Sequence, residues 1–222
     1  VKKKVLVVGG GIGGMQAAIT LAEGGHKVIL CDKSDRLGGV LRCEENVSFK
    51  KHLGEYMDRQ EKMISKAGVD VRLNILVTSE IAKSIEPDVI IAALGSVPIK
   101  PNIKGIDGNN VFEAEEIYIK PELAGKSVVI LGGGLVGTEL GIYLAKNGHD
   151  VTIIEMMSGL NSGGNFLHGL ALDVQIRELG IKTVLSTKAV EINEQGVIGQ
   201  DCDGQKLFKA DTVIYAAGRR PL

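Results

Sequence analysis

A chain of 222 residues, 44% of them hydrophobic, can bury one large core or two small ones. A formal net charge of −1 gives no broad field for nucleic acid or an anionic membrane. The three cysteines, Cys31, Cys43 and Cys202, are scattered, which argues against a disulfide framework or a metal knuckle and for a reducing, cytoplasmic setting. No run of about 20 apolar residues is present to cross a membrane.

After Lys2-Lys3-Lys4, read as a solvated lead, Val5 to Val8 is a short apolar run suited to a buried parallel strand. Gly9-Gly10-Gly11-Ile12-Gly13-Gly14 follows, a G-x-G-x-x-G at the mouth of a helix predicted over Ile12 to Glu23. In such a loop the first glycine makes the tight turn, the second lets a pyrophosphate approach, and the third lets helix and strand pack closely. The phosphate then meets free N–H groups and the positive end of the helix dipole. Gly24-Gly25 stops the helix, Lys27 to Cys31 is the second strand, and Asp32 ends it, placed to accept bonds from a ribose. Phe49 to Ala67 reads as a charged helix and Val69 to Leu73 as a strand. Asp88 to Leu94 is a parallel strand ending at Gly95, where the chain must pass close to a bound nucleotide. Pro98, Pro101 and Gly105 mark a connector, followed by a short helix over Glu113 to Tyr118.

The pattern then recurs at an offset of 123 residues, as from Gly9 to Gly132. Val128 to Leu131 is a strand, Gly132-Gly133-Gly134-Leu135-Val136-Gly137 the second phosphate loop, Val136 to Lys146 a helix, and Asp150 to Ile154 a strand ended by Glu155. His26 and His149 match after the helix stops and are read as structural, whereas His52 and His168 are read as surface residues. A Gly- and Ser-containing loop over 161–165 leads to a helix over Phe166 to Glu178. From Lys182 to Lys209, with a turn at Asp203-Gly204, the pattern predicts strands in place of a crossover helix. The closing segments match too, Ala-Leu-Gly95-x-x-Pro98 with Ala217-Gly218-x-x-Pro221. The expected fold is α/β, with two tandem three-layer Rossmann-like domains over 1–111 and 112–222, the second carrying a β-meander.

The segment from Asp32 through Leu37-Gly38-Gly39, the two glycine loops and the two closing motifs resemble the FAD- and NAD(P)-binding region of the Old Yellow Enzyme-related NADH:flavin oxidoreductases. That group contains 2,4-dienoyl-CoA and enoate reductases. The resemblance implies FAD in the first unit, against Gly9, Gly11, Ile12, Gly13, Gly14, Asp32, Lys33, Gly38, Gly39, Val40, Val77, Ala93 and Gly95, with Arg42 and Lys50 as candidate pyrophosphate cations. It implies NADH in the second, against Gly132, Gly134, Leu135, Val136, Gly137, Glu155, Ala217 and Gly218. In that family an N-terminal barrel holds FMN and a 4Fe–4S cluster, and the region similar to this chain feeds it electrons. The expected function is therefore an NADH-to-FAD electron-input module, with a non-redox ADP-binding module as the alternative. Cys43 stands alone, which excludes the active dithiol of disulfide reductases. No acid, base or nucleophile is expected to be catalytic here, and no metal ligand set is read. Glu155, with Met156 and Met157 where a phosphate-binding cation would stand, predicts NADH over NADPH. The absence of an initiator Met and of a segment returning after Pro221-Leu222 to finish the FAD site is expected to mark a piece of a longer chain.

Overall fold

The structure is a computed structural model describing residues 1–162 and 164–222. Position 163, within the loop expected over 161–165, lies outside the described residues. The chain divides into two compact units, Val1–Ser96 with Pro221–Leu222, and Val97–Arg220.

In the first unit the strands are β1 (Lys4–Val8), β2 (Lys27–Cys31), β3 (Asp70–Arg72) and β4 (Val89–Ala92), all parallel, in the order β3-β2-β1-β4. Alternation along a strand sends successive side chains to opposite faces. Val5, Val7, Val28 and Leu30 therefore meet Met15, Ala18 and Ile19 of helix α1 (Ile12–Glu23) and Ile64 of helix α2 (His52–Lys66). Leu6, Ile29 and Cys31 face the other way, onto Ile85 of helix α3 (Ser79–Ile85). Helix α1 stops where Gly25, at φ 82°, takes a left-handed turn and His26 donates its N–H to the Leu21 carbonyl at 3.1 Å.

Strand β5 (Ser96–Pro98) leaves the first unit. In the second, β6 (Val111–Glu113), β7 (Ser127–Leu131), β8 (Asp150–Ile154), β9 (Lys182–Val184) and β13 (Thr212–Tyr215) form a parallel sheet in the order β6-β13-β7-β8-β9. Helices α4 (Ala114–Ile119), α5 (Leu135–Lys146) and α6 (Phe166–Glu178) belong to this unit. One face of the sheet, Ile130, Val151 and Ile153, lies close against Gly141 of α5, where an added Cβ would touch all three and crowd Ile153 at 3.1 Å. On the other face, Val129, Ile154 and Val213 pack with Ile192 and Val197 of an antiparallel meander. That meander is β10 (Lys188–Asn193), β11 (Gly196–Asp201) and β12 (Gly204–Lys209), as the pattern over Lys182 to Lys209 predicts. It occupies the face that α3 covers in the first unit. A last strand, β14 (Arg219–Pro221), pairs with β5.

The division between the units differs from the expected one at Val111. Ile103, Ile106 and Val111 pack onto the core of the second unit, and Ile192 donates its N–H to the Lys104 carbonyl at 2.8 Å. The proline-marked connector thus belongs to the second unit. The helix expected over Phe49 to Ala67 starts later, at His52, after a 3₁₀ turn over Ser48–Lys50. No helix among the described residues is long and apolar enough to cross a membrane.

Candidate functional site

The two glycine loops have the same construction. A Cβ on Gly9, at φ 104°, would overlap the Ala93 carbonyl, and one on Gly132, at φ 111°, the Ala216 carbonyl. A Cβ on Gly14 would overlap the Gly9 carbonyl, and one on Gly137 the Gly132 carbonyl. These glycines are needed for close packing of helix and strand. Gly13 and Gly134 have nothing within 4 Å of a Cβ, and Gly11 has only the Gly39 α-carbon at 3.9 Å. The second glycine of each motif thus leaves open space at a helix N-terminus, where a phosphate can reach backbone N–H groups. Ile12, Leu135 and Val136 begin the helices beside that space.

Asp32 and Glu155 each brace their own loop. Asp32 Oδ2 accepts the Gly10 N–H at 2.5 Å, and its Oδ1 accepts that of Ser34 at 2.7 Å. Glu155 Oε2 accepts the Gly133 N–H at 2.6 Å, and its Oε1 that of Met157 at 2.7 Å. An ionised carboxylate has about four lone-pair sites, so two backbone bonds leave capacity for ribose hydroxyls. The loops that follow are also alike. Gly38, at φ 116°, donates its N–H to the Gly10 carbonyl at 2.9 Å, and Asn161, at φ 52°, donates its own to the Gly133 carbonyl at 2.8 Å. Leu37 stands against Gly10 as Leu160 stands against Gly133.

The remaining candidates of the first unit are distributed as follows. Lys33, Gly39 and Val40 are exposed. Arg42 lies under that turn. Its Nε donates to the Leu37 carbonyl at 2.7 Å, and its guanidinium pairs with Glu45 at 2.9 Å and Glu61 at 2.5 Å. Burial alone would lower the Arg42 pKa, but the bond to Glu45 and the charges of Glu61 and Asp58 outweigh it and raise the value. Arg42 therefore holds the Leu37–Gly38 turn. Lys50 pairs with Glu44 at 2.6 Å. Val77 packs in the cluster of Leu6, Ile29 and Cys31 just before Thr78, whose hydroxyl caps α3. Ala93 and Gly95 follow β4, Gly95 at φ 73°.

In the second unit a cavity of about 560 Å³ gathers Gly132, Gly134, Leu135, Val136, Glu155, Ala217 and Gly218. It adds residues the sequence reading did not single out, among them Glu115, Thr187, Lys188, Tyr215, Ala216 and Arg219. Ala216 could have been found by carrying Ala93 forward through the repeat, which lands on it and not on Ala217. Burial pushes the Tyr215 phenol up, and the carboxylates of Glu113 and Glu116 add to that. His149 Nδ1–H donates to the Gly125 carbonyl at 2.7 Å, and His26 Nδ1 accepts the Lys3 N–H at 3.2 Å, the structural roles expected of them. His168, read as a surface residue, is half exposed and also reaches Glu139, at 3.2 Å.

Two parallel sheets, each with a phosphate-type glycine loop and a strand-end acid bracing it, define a pair of dinucleotide-binding units. Comparison with known proteins assigns the family. The model of the pyridine nucleotide-disulphide oxidoreductases matches residues 3–222, and the chain belongs to that family, whose fold binds FAD and NAD(P)H. It is 39% identical over 232 residues to an NADH oxidase of Thermoanaerobacter brockii, a match spanning 100% of this chain and 35% of that protein. It is 32% identical to a cinnamate reductase of Clostridium sporogenes, over 97% of this chain and 33% of the relative. A solved 2-naphthoyl-CoA reductase in complex with 2-naphthoyl-CoA superposes with a TM-score of 0.93 at 31% identity, over 99% of this chain and 33% of that one. The chain thus spans about a third of the length of these relatives. These likenesses place it with the FAD/NAD-binding region of oxidoreductases of the enoate-reductase type.

Proposed function

We propose that this chain is the NADH-to-FAD electron-input module of a flavin-dependent reductase acting on an activated C=C bond or a related acceptor. The observation that carries the reading is the matched open space in front of Gly11 and Gly134, each beside an acid that fixes its loop. The open glycine, the helix N-terminus and the remaining lone pairs of Asp32 and Glu155 fit the pyrophosphate and ribose of a dinucleotide in either unit. In the first, Gly9 to Gly14 and Gly38-Gly39 would hold the FAD diphosphate, with Arg42 acting through the turn it supports. In the second, Gly132 to Gly137 would hold the diphosphate of NADH and Glu155 its adenosine ribose. Glu155 offers a 2′-phosphate repulsion, and Met156 and Met157 supply no cation at their own positions, which favours NADH.

Bound flavin supplies a two-electron acceptor for hydride from nicotinamide C4, and the protein's contribution to that step is to position and desolvate. The chain brings glycine loops, helix dipoles and strand-end acids, and the transfer asks no proton of them. The longer relatives support a further domain in the complete protein, for which the family resemblance offers an FMN barrel with a 4Fe–4S cluster. The absorbance spectrum of the chain with FAD, before and after anaerobic NADH, tests the reading. Bleaching of a protein-bound flavin band is expected. Binding of ADP without flavin, in this chain and in a longer one, would replace it with the non-redox alternative.

A further inference from the structure

The cavity of the second unit lies along the carboxyl ends of its parallel strands, and the strand order fixes what stands where. Glu155 follows β8, the glycine loop follows β7, Ala216–Gly218 follows β13, and Glu115 follows β6 at the start of α4. With β6-β13-β7-β8 as neighbours, about 4.8 Å apart in sequence across the sheet, Glu155 and Glu115 stand on opposite sides of the phosphate loop. A dinucleotide whose adenosine ribose lies at Glu155 and whose diphosphate lies at Gly132–Gly137 must extend its other half over β13 towards β6.

At that end the cavity presents an ion pair. Arg219 Nη1 pairs with Glu115 Oε1, both side chains line the cavity, and they remain 27% and 22% exposed. A guanidinium only donates hydrogen bonds and a carboxylate only accepts them. The pair therefore offers one donor and one acceptor side by side, the complement of a carboxamide, which has a C=O and an N–H₂. Glu113 and Glu116 add negative charge in the same corner, beside Tyr215.

Resting on the reading of this cavity as a nicotinamide dinucleotide site, we propose that Arg219 and Glu115 recognise the nicotinamide carboxamide, Arg219 donating to its oxygen and Glu115 accepting from its nitrogen. They are positioning and specificity residues. An analogue with a carboxylate in place of the carboxamide presents no N–H to Glu115 and sets a second negative charge directly against it.

Calorimetric titration of the chain with NAD⁺, with nicotinic acid adenine dinucleotide and with ADP-ribose tests this. The wild-type chain should bind the nicotinic-acid analogue about tenfold more weakly than NAD⁺, the scale of one charge-assisted hydrogen bond. Glu115→Gln should close most of that gap and leave ADP-ribose affinity unchanged. Equal affinity for the two dinucleotides in the wild type overturns the proposal without any variant having to fold. A gap that survives Glu115→Gln, or a parallel loss of ADP-ribose affinity, also overturns it. A wild-type chain that binds neither NAD⁺ nor ADP-ribose overturns the nucleotide reading itself, and this proposal with it.

Discussion

Glu155 Oε2 accepts the backbone N–H of Gly133 at 2.6 Å, so the acid that ends β8 also fixes the turn that ends β7. Removing it should act on two readouts. Glu155→Ala leaves the Gly133 and Met157 amides without their acceptor and is expected to cost about 1–3 kcal/mol in chemical denaturation. Combined with Met156→Arg it should shift the ratio of NADH to NADPH affinity by about tenfold towards NADPH, as loss of a carboxylate and gain of a cation at this position require. A wild-type preference for NADPH would sink the assignment of Glu155.

The glycines of one motif should separate into two kinds. Gly137→Ala drives a methyl into the Gly132 carbonyl and is expected to destabilise by about 1–3 kcal/mol. Gly134→Ala meets nothing within 4 Å and should melt like the wild type while losing ADP affinity. Gly13→Ala, exposed within α1, should be stabilising by about 0.5–1 kcal/mol. Melting curves that fall together for Gly134→Ala and Gly137→Ala would refute the distinction.

Asp211 joins the entry to β13 with the start of β7. Its Oδ2 accepts both the backbone N–H and the Oγ–H of Ser127, each at 2.7 Å, and these bonds hold the carboxyl below the usual range. A depressed folded pKa means that the stabilisation is fully present above the unfolded value of about 3.9 and is lost as pH falls through the folded one. Asp211→Asn should therefore unfold more easily than the wild type at neutral pH. The difference should close in acid, below about pH 4. Denaturation midpoints that stay equally far apart from pH 7 to pH 2 would contradict this.

The thiols should react in order of access. Burial pushes the Cys31 thiol up, only partly opposed by Arg72, whereas Cys202 is exposed at the β11–β12 turn. Maleimide at neutral pH should label Cys202 within minutes and leave Cys31 unmodified until the protein is unfolded, as peptide mass spectrometry would record. Early labelling of Cys31 would contradict its place in the core.

The sequence was most informative where the repeat constrained it. The β1-α1-β2 and β7-α5-β8 segments follow from periodicity together with the 123-residue offset, and α6 matches its expected Phe166–Glu178 limits without help from the repeat. Helix α3 was not anticipated, because seven residues are too few for a helical period to stand out. Arg42 was visible as a cation, but its acceptors come from Leu37, Glu45 and Glu61, the last on a helix whose placement depends on the tertiary packing. Glu115 and Arg219 lie far apart in sequence and in no motif that demands an acid and a base together; β6 and β13 make them neighbours.

The strand order also bears on how the chain is made. In each sheet the strand carrying the glycine loop gains one neighbour from the segment that arrives last, β4 beside β1 and β13 beside β7. Lys4 donates its N–H to Asp88 across 84 residues, and Ser127 to Asp211 across another 84. A ribosome adding about 5–20 residues per second leaves one edge of β1, and later one edge of β7, unpaired for several seconds. Each apolar strand must wait through that interval with one backbone edge unpaired, until Ala92 or Tyr215 has been made.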